Sequence, residues 1–524
     1  MKRRTFLRNS ASAAALPVLL NGLPVTAFGR SPLLDALDAA PCEDRVLVLV
    51  QLNGGNDGLN TLIPLDQYAE YTAARSNIAI EEAKVLKLTN EAGLHPQMTG
   101  LSQMYHNGLV RVVQAVGYPT PNYSHFRSTD IWLSASDSEE VISTGWMGRY
   151  LEHAYPGFPL GYPNASMPDP LAIQVGSVIS PGLEGTTANM GMAFTDPNSY
   201  FNITNQNTPV GVGRRAGTEL RYIRDVGQQI ERFATPVKNA AARAKNKSTL
   251  YPAAKTNLVA DQLKIVAQLI AGGLKTRIYI VNHSGFDTHS YQTQGGPGNP
   301  IPHGTLLEQL SIAINAFQDD LKLLGVEDRV VGMTFSEFGR RIKSNSSGGT
   351  DHGAAAPVFL FGSNVKNGVL GNNPTIPQSV TTEDNVPMQF DFRSVYATLL
   401  RDWFCVDPST VNTLLNRDFG KLDLIEGAST TSVMDQLADT GSALFIAPNP
   451  ATSFVSVGFS APQGRVSIGL FDATGRQIAT AGEIMHDGTA SSIRLDVSAL
   501  PSGNYYVRLQ HISGATVRPL IVQR

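Results

Sequence analysis

The sequence predicts an α/β protein, with a mostly parallel sheet flanked by helices, followed by a small all-β sandwich. In the body of the chain, short and almost wholly apolar runs alternate with longer segments of helical periodicity. Such runs are typical of strands that are buried on both faces. From Phe445 onward the pattern changes to short alternating strands with turn residues at regular spacing, which indicates a sandwich.

Five segments of the body have the pattern of buried strands. They are Arg45–Leu52, Leu109–Val116, Arg277–Val281, Val330–Phe335 and Pro357–Phe361. Most of these segments end in polar, glycine-rich loops. Because ligands of α/β proteins bind at the carboxyl ends of parallel strands, these loops are the expected place for chemistry.

Helices are predicted between and after these strands. The segments are Ser124–Trp132, a helix starting near Gly145, Leu220–Lys245, Asn257–Gly272, Leu306–Leu324 and Phe390–Trp403. His303, just before one of them, is interpreted as a cap or surface residue. The segment 155–204 is irregular and rich in proline, glycine, serine and asparagine, and we expect it to cover the site.

Composition excludes several classes of protein. A chain of 524 residues predicts roughly two to four domains. A formal charge of −3 gives no basic patch of the kind that nucleic-acid binders show. Only Cys42 and Cys405 are present, which excludes a disulfide framework and a cysteine metal site, and whether these two pair is left open.

The amino terminus has the pattern of an export signal over residues 1–29. Paired arginines in Lys2–Arg8 precede a modest apolar run, Ala11–Leu20, and the small residues Ala27 and Gly29. This pattern favours a twin-arginine signal, and an ordinary secretory signal is the alternative. Both predict export to the periplasm. Since no later segment is apolar for the ~20 residues of a membrane helix, no transmembrane anchor is expected.

The first two strand ends carry candidate site residues. Asp57 follows the first strand in a turn-forming loop, where capping that turn is the alternative role. Ser124 lies at the start of a predicted helix, whose exposed backbone N–H groups favour a nucleophile that attacks an anionic ester. A plain N-cap is the alternative for Ser124. His125 either orients a neighbour or packs.

The third strand delivers Asp287 and His289, which lie two residues apart. In an extended segment their side chains share a face, so a carboxylate and an imidazole converge as a divalent-metal pair. The alternative is a solvated polar loop.

The loop between Phe335 and Pro357 has the highest density of chemically active side chains. Glu337, Asp351 and His352 are of the types that bind metals, and Arg340 is of the type that clamps an anion with two hydrogen bonds. The alternative for Arg340 is to hold the loop through a carboxylate pair.

Seven segments together resemble a known family. NGGNDGLN, NYSHFRSTDIW, GWMGRYLE, GFDTHSYQ, FSEFGRR, GTDHGAAAPVFLFG and DFRSVYATLLRDWF look like domain-of-unknown-function family 1501, in the alkaline phosphatase and sulfatase superfamily. The resemblance covers roughly Val46 to Phe404 and implies an alkaline-phosphatase-like domain over residues 45–425.

The resemblance also implies roles for the candidate residues. Asp57 would bind one metal, with Ser124 as the nucleophile. The other metal would be surrounded by Asp287, His289 and His352. Glu337 occupies the place of an aspartate in the superfamily's Asp-His pair, but Phe338 follows it and cannot bind a metal. Asp351 and His125 are the candidate substitutes.

The carboxy-terminal region has a second resemblance. Ala447–Thr452, Leu470–Arg476 and Leu500–Val507 are similar to the sorting domain of the type IX secretion system, over residues 445–524 after a linker at 426–444. This implies recognition by the secretion machinery and export across the outer membrane, to the cell surface or the medium. A carbohydrate-binding sandwich is the alternative.

Two functions are consistent with these patterns. One is an exported metal-dependent hydrolase of phosphate or sulfate esters, with a small anionic ester or a polysaccharide as substrate. Zinc, magnesium, manganese and calcium all suit its Asp, Glu and His side chains. The alternative is a non-catalytic binding or scaffold protein on a degenerate phosphatase-like fold.

Overall fold

The computed structural model describes residues 18–20, 23–25, 42–197, 232–426 and most of 444–523. In the last part these are 444–447, 449, 451–452, 454–459, 464–472, 475–486, 491–511 and 514–523. The chain divides into two compact units, 1–427 and 428–524. The arginine-rich part of the predicted export signal and almost all of the predicted linker lie outside the described residues, as does the predicted helical segment before residue 232.

The described residues of the first unit form sixteen strands. They are β1 Val18–Leu20, β2 Leu23–Val25, β3 Val46–Asn53, β4 Leu62–Pro64, β5 Leu86–Lys87, β6 Ala92–Leu94, β7 Val110–Gly117, β8 Ala172–Val175, β9 Gly191–Phe194, β10 Ile278–Ser284, β11 Val330–Phe335, β12 Arg340–Ser344, β13 Thr350–His352, β14 Ala356–Phe361, β15 Gly368–Leu370 and β16 Phe390–Asp391. All five predicted strands are present among them.

The helices of this unit have the following bounds. They are α1 Gly58–Thr61, α2 Tyr68–Ala74, α3 Thr99–His106, α4 His125–Ser134, α5 Trp146–Ala154, α6 Leu258–Ala271, α7 His303–Leu324, α8 Phe392–Thr398 and α9 Pro408–Leu414. Residues 232–243 are also helical, and a π-helical turn, Leu399–Trp403, continues α8. Single 3-10 turns span Cys42–Asp44, Leu65–Gln67, Glu82–Lys84, Pro181–Leu183 and Glu327–Arg329.

A nine-stranded sheet forms the centre of the unit. Its order is β15-β7-β14-β11-β3-β10-β8-β9, with β16 also paired to β7. Strands β11, β3, β10, β8 and β9 are mutually parallel, whereas β14 is antiparallel to both β11 and β7. All strands except β14 therefore run in one direction, which confirms the predicted mostly parallel sheet.

The helices cover the sheet through apolar stripes. In α6 the buried residues Val259, Leu263, Val266 and Ile270 recur at helical spacing. The helix starts where the side chain of Asn257 accepts a hydrogen bond from the Ala260 N–H, at 3.2 Å. The neighbouring helix α7 packs against α6. Both predicted helices are thus present, within three residues of the expected ends.

Two expectations about this unit differ from the structure. Within the segment 155–204, β8 and β9 extend the parallel sheet beyond β10, because AIQV and GMAF are short apolar runs among turn-forming residues. Residues 198–204 of that segment lie outside the described part. His303 is not a surface residue, since it is 2% exposed and its Nε2 lies 2.9 Å from Asn56 Oδ1.

A disulfide links two segments of this unit that lie far apart in the sequence. Cys42, just before β3, is bonded to Cys405, just after the π-helical turn, with 6.1 Å between their Cα atoms. Beside it, Arg45 Nη1 donates to the carbonyl oxygens of Asp402 and Trp403. In the described part of the chain, no helix is both long and apolar enough to cross a membrane.

The second unit is a sandwich of two antiparallel sheets. Its strands are β17 Leu444–Ala447, β18 Phe454–Phe459, β19 Gly464–Asp472, β20 Gln477–His486, β21 Ser491–Asp496, β22 Gly503–His511 and β23 Gly514–Val522. The sheet orders are β17-β18-β21 and β20-β19-β22-β23. Alternate residues of both sheets, such as Val457 and Val507, share one apolar core, as the period-two pattern predicts.

Candidate metal centre

The candidate site lies at one edge of the main sheet. The carboxyl ends of β3, β7, β10 and β11 all open at this edge, because these strands run in the same direction. Strand β14 runs the other way, so its amino end, and the residues of β13 just before it, lie at this edge as well. The reversal of β14 is what brings His352 beside residues that follow the parallel strands.

Three side chains form the centre of the site. His125, at the start of α4, Asp287, after β10, and His352, in β13, each offer a ligand atom, and these atoms lie within 4.8 Å of one another. Asp287 Oδ2 is 3.4 Å from His125 Nε2, and Asp287 Oδ1 is 3.2 Å from His352 Nε2. A cation of ordinary metal–ligand bond length fits among donors at such separations.

His289 adds a fourth donor to this cluster. Its Nε2 lies 2.9 Å from His352 Nε2 and 3.2 Å from Asp287 Oδ1. His289 and Asp287 are each about half exposed to solvent, so the cluster is open to small molecules. The four residues His125, Asp287, His289 and His352 are called the donor cluster below.

The Nδ1 atom of each imidazole in the donor cluster is bound to an oxygen. His352 Nδ1 lies 2.8 Å from the Tyr123 carbonyl, which can only accept a hydrogen bond, so this nitrogen carries the proton. His125 Nδ1 lies 2.8 Å from Glu337 Oε1, and His289 Nδ1 lies 3.3 Å from Asp351 Oδ1. In the neutral rings, every Nε2 therefore presents a lone pair towards Asp287. Metal-binding histidines are oriented in this way.

This arrangement fits a bound cation. Two lone pairs that face each other at 2.9 Å beside a carboxylate repel one another unless a positive charge lies among them. A proton on one of the two rings removes the repulsion between those two nitrogen atoms only. A divalent metal meets it for all four side chains, so the residues present fit a metal.

Glu337 supports the cluster from behind. The structure places it 3% exposed, with its Oε1 accepting from the Gly54 N–H at 2.8 Å and bound to His125. It therefore orients a donor, whereas the sequence predicted that it binds the metal itself. Asp351 also lies behind the donors, where it accepts hydrogen bonds from Asn345 and His289.

Asp57 does not join the donor cluster. It is fully buried, and Arg75 Nη1 lies 2.7 and 2.6 Å from its two carboxylate oxygens. Gln292 donates a further hydrogen bond to Oδ2 at 2.6 Å. The expectation that Asp57 binds a metal is replaced by a structural ion pair, because Arg75 in α2 already neutralises the carboxylate.

Arg340 holds the loops of the site together. Its Nε donates to the Gly55 carbonyl, its Nη1 to the Thr350 carbonyl, and its Nη2 to Asp287 Oδ1, at 2.7, 2.7 and 2.8 Å. The side chain is 1% exposed. The geometry therefore agrees with the loop-holding alternative rather than with an anion clamp.

Phe338 packs beside the donors. Its ring centroid lies 5.0 Å from that of His125 and 4.4 Å from that of His352. Gly55 has a φ of +80°, and a Cβ there would lie 2.3 Å from the Phe338 ring, so only glycine fits. Phe338 thus sets the positions of two imidazoles through packing.

The family of the chain follows from its sequence. The model of the family described as "Protein of unknown function (DUF1501)" matches residues 118–433, which is more than half of the chain. The chain belongs to the DUF1501 family. Residues 445–523 match the secretion system C-terminal sorting domain, which indicates export through a type IX secretion system. No curated protein matches the chain in sequence.

Solved structures with distant likeness include two of similar length. A protein in the alkaline phosphatase superfamily from Vibrio parahaemolyticus is 10% identical, with 91% of this chain and 82% of that chain covered and a TM-score of 0.31. The PsFucS1 sulfatase from Pseudoalteromonas sp. is 11% identical, with 86% and 84% covered and a TM-score of 0.31. At these TM-scores neither structure bears on the function.

A third solved structure matches over a short region. PorZ, a surface component of the type IX secretion system of Porphyromonas gingivalis, is 19% identical, with a TM-score of 0.13. The match covers 20% of this chain, and the chain spans only 14% of PorZ.

Electrostatics of this DUF1501 site favour a charged carboxylate at Asp287. Partial burial alone raises the pKa of Asp287, but the contact with His352, the hydrogen bond from Arg340 and the Arg340 charge outweigh it and hold that pKa well below its usual value. Partial burial and the nearby Arg340 charge lower the pKa of His289. The hydrogen bond to Glu337 raises the pKa of His125.

Ser124 lies next to the donors of the DUF1501 site without contributing to them. It is the N-cap of α4 and is exposed, and its hydroxyl does not cap the helix. Its N–H donates to Asn122 Oδ1 at 2.9 Å. The carbonyl of the preceding residue, Tyr123, orients His352, a role that no side-chain pattern in a sequence indicates.

Proposed function

We propose that the protein is an exported metal-dependent hydrolase that acts on phosphate or sulfate esters. The observation that carries the proposal is the donor cluster, in which three imidazole Nε2 atoms converge on one carboxylate at an open edge of the sheet. Clusters of this kind, with each imidazole held by a second oxygen, are characteristic of functional metal sites.

The donor cluster favours zinc among the four candidate metals. Imidazole nitrogen is a preferred ligand of zinc, whereas calcium and magnesium prefer oxygen. Only Asp287 supplies oxygen here. When bound, the metal would act as a Lewis acid towards the anionic ester.

The surrounding residues have distinct tasks in this proposal. Arg340 fixes Asp287 against the loop after β3, and Glu337 fixes His125. Ser124 is the proposed nucleophile, because its hydroxyl is exposed at the start of α4, where backbone N–H groups favour a negatively charged substrate. Phe126, the next residue but one, is 89% exposed and offers an apolar face to the organic part of the substrate.

A binding protein without catalytic activity is the second candidate. Asp57 is already paired with Arg75, and Phe338, which cannot bind a metal, packs beside the donors. The superfamily resemblance implies two metals, and the described residues provide one donor cluster. A single metal held in this way can also anchor an anionic partner without cleaving it.

Export by the type IX route completes the proposal. We infer passage through the periplasm, followed by recognition of the sorting domain by the secretion machinery. The protein would then act at the cell surface or in the medium, on small anionic esters or on sulfated polysaccharide.

Metal content tests the proposal directly. Protein purified without chelator is analysed by mass spectrometry, with Asp287→Asn and His352→Ala as variants and the surface variant His106→Ala as control. One metal per chain in the wild type and the control, and a large loss in both cluster variants, supports the site. Absence of metal after reconstitution with zinc or manganese refutes both catalysis and metal-mediated binding.

Hydrolysis of phosphate and sulfate esters then separates the two candidates. In a hydrolase, Ser124→Ala abolishes turnover while the metal content stays at the wild-type level. Metal without turnover of any ester in the panel favours the binding protein.

A further inference from the structure

A cavity lies at the amino-terminal edge of the main sheet, opposite the edge that carries the donor cluster. Its volume is about 590 Å³, within the range of small-molecule sites. Its walls come from the end of α5, the segment after it, and the residues just before β10 and just after the π-helical turn. They include Tyr150, Tyr155, Tyr162, Lys275, Arg277 and Phe404.

Arg277 is the unusual residue of this cavity. It is 4% exposed, and its guanidinium lies over the Phe404 ring, 5.0 Å from the centroid. Its Nη2 donates to the Tyr150 hydroxyl at 3.2 Å. Among the residues that the structure describes, neither Nε nor Nη1 has a hydrogen-bond partner. A buried donor without an acceptor destabilises a protein by about 1–3 kcal/mol, so this guanidinium lacks the acceptor that its position calls for.

The acidic residues nearby do not supply that acceptor. Asp407 Oδ1 caps α9 and accepts hydrogen bonds from Ser409 and Thr410. Asp44 is exposed, and Asp169 accepts a hydrogen bond from the backbone N–H of Lys275, at 2.9 Å. Lys275 lies on the cavity wall and adds a second positive charge, with its Nζ donating to the carbonyl of Ser166, at 3.0 Å.

We propose that this cavity binds a small organic oxyanion, a carboxylate or sulfate group on a sugar-sized molecule, with Arg277 as its principal partner. The Arg277 guanidinium attracts the oxyanion through its positive charge, and Lys275 contributes charge from the rim. The Tyr162 ring lines the cavity and offers apolar surface to the organic part of the ligand. This site needs neither the donor cluster nor its activity.

The two sites are far apart. Arg277 precedes β10 and Asp287 follows it, so the length of that strand, about 23 Å for seven residues, separates them. A ligand in the cavity therefore does not reach the donor cluster.

Calorimetric titration of the full-length protein tests the proposal. The probes are sodium glucuronate and glucose 6-sulfate, with glucose as the neutral control and sodium chloride holding the ionic strength constant. We expect saturable binding of at least one anionic sugar and none of glucose. Inorganic sulfate, as a fourth probe, shows whether the oxyanion alone is enough to bind.

Variants assign the binding to the cavity. Arg277→Met should weaken it about tenfold or more, because the positive charge on the cavity wall is lost. Lys275→Gln should weaken it about threefold to tenfold, and the surface control Lys322→Gln should leave it unchanged. Asp287→Asn, in the donor cluster, should also leave it unchanged.

Several results would overturn the proposal. They are the absence of saturable binding, equal affinity in Arg277→Met and wild type, or loss of binding in Asp287→Asn, which would place the anion at the donor cluster. If circular dichroism shows that Arg277→Met is unfolded, it is replaced by Arg277→Lys, which keeps the charge. The deciding comparison is then the ligand affinity of Lys275→Gln against that of Lys322→Gln. Equal affinity in these two glutamine variants then refutes the site.

Discussion

Neutralising Asp57 and neutralising Asp287, each in a separate variant, should have opposite effects on protein stability and on metal content. Asp57→Asn removes the partner of a fully buried arginine, because Arg75 contacts both carboxylate oxygens. Breaking a buried ion pair typically destabilises a protein by about 3–5 kcal/mol, and the amide of asparagine, which still accepts one hydrogen bond, should place the loss near 3 kcal/mol. The metal content of this variant should stay at the wild-type level.

Asp287→Asn should show the reverse pattern. Its carboxylate is about half exposed, so the free energy of unfolding of the metal-free protein should fall by about 1–2 kcal/mol, less than in Asp57→Asn. The metal content should fall sharply, since Asp287 is the only carboxylate among the four donors.

Two assays on the same samples test this pair of outcomes. Denaturant unfolding of the metal-free proteins gives the stability of each variant, and mass spectrometry of the reconstituted proteins gives the metal content. Arg75→Met combined with Asp57→Asn controls for the uncompensated charge and should recover most of the lost stability. If Asp57→Asn loses the metal while its stability is unchanged, Asp57 is a ligand and the assignment of the donor cluster is wrong.

Three further predictions concern neighbouring features. Glu337→Gln removes the carboxylate that orients His125 and should weaken metal binding about 10-fold to 100-fold. A competition titration with a chelator measures this affinity, and an unchanged value would contradict the supporting role of Glu337. Phe126→Ala should raise KM about twofold to tenfold for esters with an apolar or sugar leaving group while metal content stays constant, and an equal fall in kcat would contradict a binding role. Burial lowers the pKa of His303 to about 3, so the unfolded chain takes up a proton first as pH falls below 6.5, and the free energy of unfolding should drop by about 2 kcal/mol between pH 6.5 and pH 5. Denaturant unfolding of the wild type and of His303→Gln at these two pH values measures that drop, and an equal drop in both proteins would contradict the assignment to His303.

The main strands and helices could be predicted because their apolar patterns are long. Arg45–Leu52 and Asn257–Gly272 gave nearly the observed bounds, since burial on both faces of a strand and on one face of a helix leaves distinct periods. The strands β8 and β9 were missed, because apolar runs of only four residues among glycines and prolines also occur in loops. The antiparallel direction of β14 is set by pairing with β7 and β11, which no local pattern specifies.

The candidate site was predicted in part for the same reason. Strand ends pointed to Asp287, His289 and His352, which the structure does bring together. The sequence could not distinguish Asp57 from these residues, because Arg75, which neutralises its carboxylate, lies on another element. It also suggested an anion clamp for Arg340, whose guanidinium is instead occupied by backbone carbonyls that only the fold assembles.

The Cys42–Cys405 bond closes residues 42–405, which include every strand of the nine-stranded sheet, into a covalent ring. A protease that cuts one surface loop inside the ring leaves both pieces joined, so the donor cluster survives a nick that would separate an open chain. The sorting domain lies outside the ring, and a cut between residues 426 and 444 detaches it without opening the loop. The same protease can therefore release the sorting domain and leave the sheet domain in one piece.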